Sequence, residues 1–180
     1  MRDKQAGTRR VHRRPIKLVE AVKKRLGLKP LPVEGGYFAE SYRSKDVLGA
    51  GAIDRGPRAL STAIYYLLTP DTCSRLHRLA SDEIYHFYLG DPVELLQLLP
   101  DGTGRTIILG ADMGRGMVVQ AVVPRGVWQG SRLRRGGKFA LMGTTMAPGF
   151  DPADCQFGDR VLLTRTYRQW RAQIARLTAE

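Results

Sequence analysis

Between residues 59 and 146 apolar and β-branched side chains come in short runs separated by turn residues. The runs cover residues 61–68, 72–78, 83–89, 93–99, 105–109, 117–123, 127–133 and 138–146. Pro100-Asp101-Gly102, Pro124-Arg125-Gly126 and Arg134–Gly137 punctuate them. Short strands at this spacing, with no helical pattern between them, predict an all-β sandwich or barrel. A further run, residues 37–43, alternates as a strand and opens the barrel core, which is expected over about 37–146. Helical spacing returns at the two ends. Ile16, Val19, Val22 and Leu26 form one stripe after Pro15, with Gly27 as the stop signal. Leu162, Leu163, Thr166, Trp170, Gln173 and Leu177 predict a C-terminal helix over about 159–177, with Asp151 or Asp159 as its cap.

The strand pattern also sorts side chains to faces. Along 83–89, Glu83, Tyr85, Phe87 and Leu89 share one face, and Ile84, His86 and Tyr88 the other. A carboxylate beginning an apolar, aromatic face is costly in a core. Glu83 therefore marks a place where water, a ligand or a partner is expected, or else a solvated strand end. Along 37–43, Phe38, Glu40 and Tyr42 share a face, and a second carboxylate between aromatics makes a second candidate pocket wall. An exposed edge strand explains that pattern equally well.

Composition adds three constraints. With 43% hydrophobic and 26% charged residues in 180, the chain suits one well-cored domain, assigned to 15–180. The net charge of +12 is uneven. Residues 1–30 hold eleven Lys and Arg against Asp3 and Glu20, so the body carries little excess charge. Residues 1–14 read as a flexible basic arm. Nucleic-acid contact through that arm is the third-ranked reading, because no aromatic is interleaved with the basic residues. No apolar run approaches the ~20 residues of a membrane span, and no secretory h-region begins the chain. Cys73 and Cys155 lack metal or redox spacing and read as small buried thiols, so a cytoplasmic setting is expected. There is no dinucleotide fingerprint, phosphate-binding P-loop or nucleophile elbow.

Four separated segments resemble one family. His77-x-Leu79-x3-Glu83-x6-Gly90 is similar to the first motif of the cupin superfamily, H-x-H, three or four residues, E, six residues, G. Pro124-Arg125-Gly126-Val127-Trp128-Gln129 is similar to the second, P-x-G-x-x-H. The run from Leu28 to Phe157 resembles the cupin-like family of unknown function found in bacteria and fungi. Its hallmarks are PVEGGYFAESYRS, RLHRLASDEIYHFYLGD, VVPRGVWQG and MAPGF. The resemblance implies a double-stranded β-helix, the cupin jelly-roll barrel, with a pocket inside it and a homodimeric assembly. It implies no reaction, since fold is not function. Two of the four usual metal-ligand positions are altered, Leu79 and Gln129 standing where histidines are expected. No cofactor is therefore expected. A weak divalent metal on His77, Glu83 and Gln129 is the fallback, which demotes a metal-dependent oxygenase to the weakest alternative.

The leading expectation is an enzyme acting on a small polar or sugar-like metabolite by acid–base chemistry, of epimerase, isomerase or lyase type. His77 and Glu83 are the catalytic pair. Tyr37, Glu40, Tyr85, Trp128 and Gln129 are the candidate ligand-binding residues. Sugar-nucleotide epimerases of the cupin superfamily support that class by fold analogy. A non-catalytic ligand-binding or sensing module is the alternative.

Overall fold

A computed structural model describes residues 7–49, 51 and 56–178. The first six residues of the expected arm lie outside the described residues, as does part of the loop between 45 and 57. Helix α1 spans Gly7–Leu26, starting eight residues before Pro15, so residues 7–14 are helical. Strands follow as β1 (Lys29–Pro30), β2 (Tyr37–Arg43), β3 (Val47–Leu48), β4 (Arg58–Ala59), β5 (Thr62–Leu68), β6 (Cys73–Leu79) and β7 (Glu83–Gly90). Then come β8 (Val93–Leu98), β9 (Gly104–Leu109), β10 (Gln120–Val123), β11 (Trp128–Leu133), β12 (Ala140–Met146) and β13 (Cys155–Phe157). Helices α2 (Arg160–Thr166) and α3 (Arg171–Arg176) close the chain.

One sheet runs β1-β2-β5-β12-β7-β10 and the other β13-β6-β11-β8-β9, while β3 and β4 pair apart. Successive strands β5, β6, β7 and β8 fall alternately in the two sheets, so the chain winds between them as the expected double-stranded β-helix. Tyr66, Leu68, Tyr85, Phe87, Leu95 and Met142 belong to the core between the sheets. Inward residues from both sheets make it, as alternation requires.

The outer faces are covered by helices. On the six-stranded sheet, Val19 of α1 packs with Leu28, Leu67, Phe139 and Leu141. On the five-stranded sheet, Leu163, Tyr167, Ile174 and Leu177 pack on Leu76, Leu96 and Leu98. The single C-terminal helix expected over 159–177 is two short helices. Tyr167, at φ −114° and ψ 60°, breaks the run between them. Asp159 caps α2 by accepting the N–H of Leu162 at 2.8 Å. Among the described residues no helix is long and apolar enough to cross a membrane.

Candidate active site

A cavity of about 90 Å³ lies inside the barrel. β6 contributes His77 and Leu79, β7 contributes Glu83 and Tyr85, and β12 contributes Thr144. β2 and β5 bring Phe38, Glu40, Ile64 and Tyr66, and the turn before β2 brings Glu34.

His77 reaches this cavity through a β-bulge. Gln129 of β11 faces His77, but Ser131 faces Ser74, so three steps on β6 match two on β11. Simple alternation puts Ser74 and His77 on opposite faces, and the extra residue brings both inward. Leu76 instead packs outward beneath the C-terminal helices. The groups freed by the bulge are all used. Arg75 N–H donates to Glu34 O at 2.9 Å and Leu76 N–H to Leu177 O at 2.6 Å. The Arg75 carbonyl takes His77 Nδ1 at 2.8 Å. A carbonyl only accepts, so Nδ1 carries a hydrogen, and whenever the ring is neutral Nε2 bears the lone pair. The imidazole is 2% exposed.

Glu83 begins β7 and is also buried. Gln129, 1% exposed, donates from Nε2 to Glu83 Oε2 at 2.7 Å. Burial pushes the Glu83 carboxyl above its ordinary range, and the Glu34 carboxylate adds to this. His77 and hydrogen bonds from Thr144 and Gln129 pull the other way without cancelling it. A carboxyl of this kind holds a proton longer than a solvated one and suits a general acid.

Glu34 is the site residue that sequence reading missed, because it lies in a turn outside the alternating run that begins at Tyr37. Its Oε1 accepts the Ser74 hydroxyl at 2.8 Å. Tyr66 donates to Gly35 O at 2.9 Å, holding the turn against the barrel. Burial raises the Tyr66 and Tyr85 phenols well above their usual values, with nearby carboxylates reinforcing it, so both stay neutral hydrogen-bonding groups. The only sequence signal for Glu34 was its place in the PVEGGYFAESYRS hallmark.

The expected residues separate into two groups. His77, Glu83, Tyr85 and Glu40 line the cavity, and Gln129 backs it through Glu83. Glu40 is exposed and is clasped by Arg43 at 2.6 Å. Tyr37 and Trp128 lie elsewhere, which corrects their assignment to the pocket. Tyr37 packs against α1 with the Lys23 ammonium 3.6 Å from its ring centroid. Phe38 takes the inward place, as alternation with Glu40 demands. Trp128 neighbours Gln129 and so faces out, beneath the Arg78 guanidinium at 4.7 Å. Leu89 is a smaller correction. A register shift between Leu141 and Met142 leaves Tyr88 as the extra residue of β7, so Leu89 leaves the inward face and is exposed.

The donors present do not fit a redox-metal site. At the motif positions one imidazole, one carboxylate and one amide remain, the amide already spends its N–H on Glu83, and the further cavity carboxylate of Glu34 accepts from the Ser74 hydroxyl. Gln129 Oε1 is buried without a partner, but an amide oxygen is a weak donor for such a metal. Among the described residues no three His, Cys, Asp or Glu side chains cluster as metal ligands.

Comparison with known proteins agrees with this architecture. The family described as Cupin superfamily (DUF985) matches residues 20–158, and the chain belongs to that family. A relative in Saccharomyces cerevisiae, the uncharacterized protein YML079W, is 35% identical over an alignment of 136 positions that covers 69% of this chain and 67% of that one. Among solved structures, a hypothetical protein from Leishmania major superposes with a TM-score of 0.82 at 34% identity, covering 89% of this chain and 98% of that one. Protein SO0799 from Shewanella oneidensis gives 0.80 at 32% identity, covering 89% and 96%.

Proposed function

We propose that the protein is an enzyme that moves a proton on a small polar metabolite inside the barrel, as an epimerase, isomerase or lyase does. The observation that carries the reading is the buried Glu83 carboxyl, held by Gln129 and sharing the barrel cavity with His77. His77 Nε2 is the base, since its tautomer is set by the Arg75 carbonyl. Glu83 supplies or holds the proton, and Tyr66, Tyr85 and Glu34 orient the substrate.

The test uses deuterium. Mixtures of small polar metabolites incubated with the protein in D₂O acquire carbon-bound deuterium, detected by mass spectrometry. The exchange is expected to vanish in His77→Ala. Metabolite binding without exchange in any mixture overturns the enzyme reading. It favours the second one, a binding or sensing module. Because the donor set suits proton transfer, exchange is expected to be unchanged after extensive EDTA treatment. Loss on chelation and recovery with iron or manganese contradicts the metal-free assignment.

We also propose a homodimer. β10 is the outermost strand of its sheet, and Val122 on it is 47% exposed. An exposed apolar sheet edge is a pairing surface. Sedimentation is expected to give twice the chain mass, and a single monomeric species at micromolar concentration contradicts it. A cytoplasmic setting belongs to the same proposal, supported by the free thiols Cys73 and Cys155.

A further inference from the structure

A second cleft opens at the rim of the barrel, where the end of β6, the turn before β11 and the chain entering β13 meet. It measures about 760 Å³, well within the range of small-molecule sites. Among the described residues, Arg58, Arg78 and Arg125 line it against one carboxylate, Asp154. Arg58 is engaged within the fold, its Nε and Nη2 donating to Asp154 at 2.9 and 3.0 Å, with Asp151 at 4.0 Å.

The other two arginines differ. Among the described residues neither Arg78 nor Arg125 has a carboxylate within ion-pair distance. Arg78 is held in place without being neutralised. Its Nε donates to Gln156 Oε1 at 2.7 Å, and its guanidinium lies on the Trp128 ring. A guanidinium fixed in this way loses little further freedom on binding an anion. Arg125 is exposed, and its backbone N–H donates to Asp82 Oδ1 at 2.7 Å, which fixes the turn that carries it.

The cleft adjoins the barrel cavity, for Leu79 lines both. On β6, Arg78 stands between the two inward residues His77 and Leu79. Cys155, across from Leu79 on β13, also lines the cleft. Burial, with Glu34 and Glu83 behind it, pushes its thiol up to about 12, so it presents a neutral wall and no nucleophile.

We propose that this cleft binds the phosphate of a small phosphorylated metabolite through Arg78 and Arg125, with the rest of the molecule passing Leu79 toward His77 and Glu83. The phosphate site stands on the cleft alone, whereas the orientation rests on the acid–base reading of the cavity. Two uncompensated guanidiniums from separate elements match a dianion better than a single carboxylate, which one arginine satisfies. A nucleic-acid strand fits less well, because the chain beyond residue 30 carries little of the +12 charge.

The experiment titrates the full chain with inorganic phosphate at low salt and follows amide chemical shifts. Saturable binding on the order of millimolar is expected, with the largest shifts around Arg78, Leu79 and Arg125. Arg125→Ala and Arg78→Ala are each expected to weaken it about tenfold, the effect of losing one charged hydrogen-bonding group. His77→Ala is expected to leave it within about twofold, so failure here is distinguishable from failure of the acid–base reading. No saturation by ~50 mM phosphate, far above the millimolar affinity expected, overturns the proposal. Unchanged affinity in both arginine variants overturns it too. A single-stranded oligonucleotide that binds more tightly than phosphate through the same arginines overturns the small-molecule assignment.

Discussion

Glu83→Gln is expected to move activity and stability in opposite directions. The amide cannot give or hold the proton, so deuterium exchange should fall by ~10²-fold or more, the usual scale for loss of a general acid or base. Stability should rise. Burial raises the Glu83 carboxyl in the folded state, so the folded protein favours its protonated form. Below the unfolded value of about 4.3 the group carries no penalty. As pH rises from there through the raised folded value, the wild type must bury a growing negative charge and loses stability. Glutamine has no such charge at any pH and can still accept from Gln129. The variant should therefore gain on the wild type with increasing pH across that window and level off above it. At pH 8 a gain of at least ~2 °C in melting temperature is expected, the equivalent of roughly 1 kcal/mol at this chain length. A variant less stable than wild type at pH 8 would mean that Glu83 is a structural residue.

Gly90→Ala should be among the most damaging single substitutions in the barrel. Gly90 ends β7 opposite Ala140 at φ +108°, a conformation that L side chains rarely adopt. An added Cβ would collide with the Phe139 carbonyl oxygen and lie 2.9 Å from Ala140 Cα. Both are backbone atoms, so relief requires β7 and β12 to part at the strand end. Urea denaturation should show a loss of at least ~2 kcal/mol, combining backbone strain with the clash. Gly102 is the control. It also has positive φ, +85°, but nothing lies within 4 Å of its added Cβ. Gly102→Ala should cost clearly less, and equal losses at the two positions would remove the close approach as the cause.

Both residues were visible in the sequence, within the segment that carries His77 and Glu83. Period-two alternation put Glu83, Tyr85 and Phe87 on one face, because regular strands obey it, and the same rule turns Trp128 away from Gln129 and out of the pocket it was expected to line. It failed wherever the strands bulge. His77 is inward only through the extra residue on β6, and Leu89 is outward only because of the one on β7. A bulge is set by pairing with a neighbouring strand, which a single sequence does not display. The family motif supplied His77 where alternation from Ser74 would have turned it away. Glu34 escaped for a related reason. It belongs to no strand, and its place at the cavity depends on Ser74 and Tyr66, some 30 to 40 residues later. The second helical segment was legible in kind but not in detail, since the break at Tyr167 serves packing on Leu76 and Leu98.

The acid–base site depends on the protonation of one buried carboxyl. Carbon-13 NMR of the side-chain carboxyls, with Glu83 assigned by the resonance lost in Glu83→Gln, follows that proton directly across a pH titration. The predicted result is a Glu83 midpoint above the ordinary glutamate value of about 4.3. A midpoint at or below that value would describe a permanently ionised, solvated or salt-bridged residue, and would contradict the acid–base site.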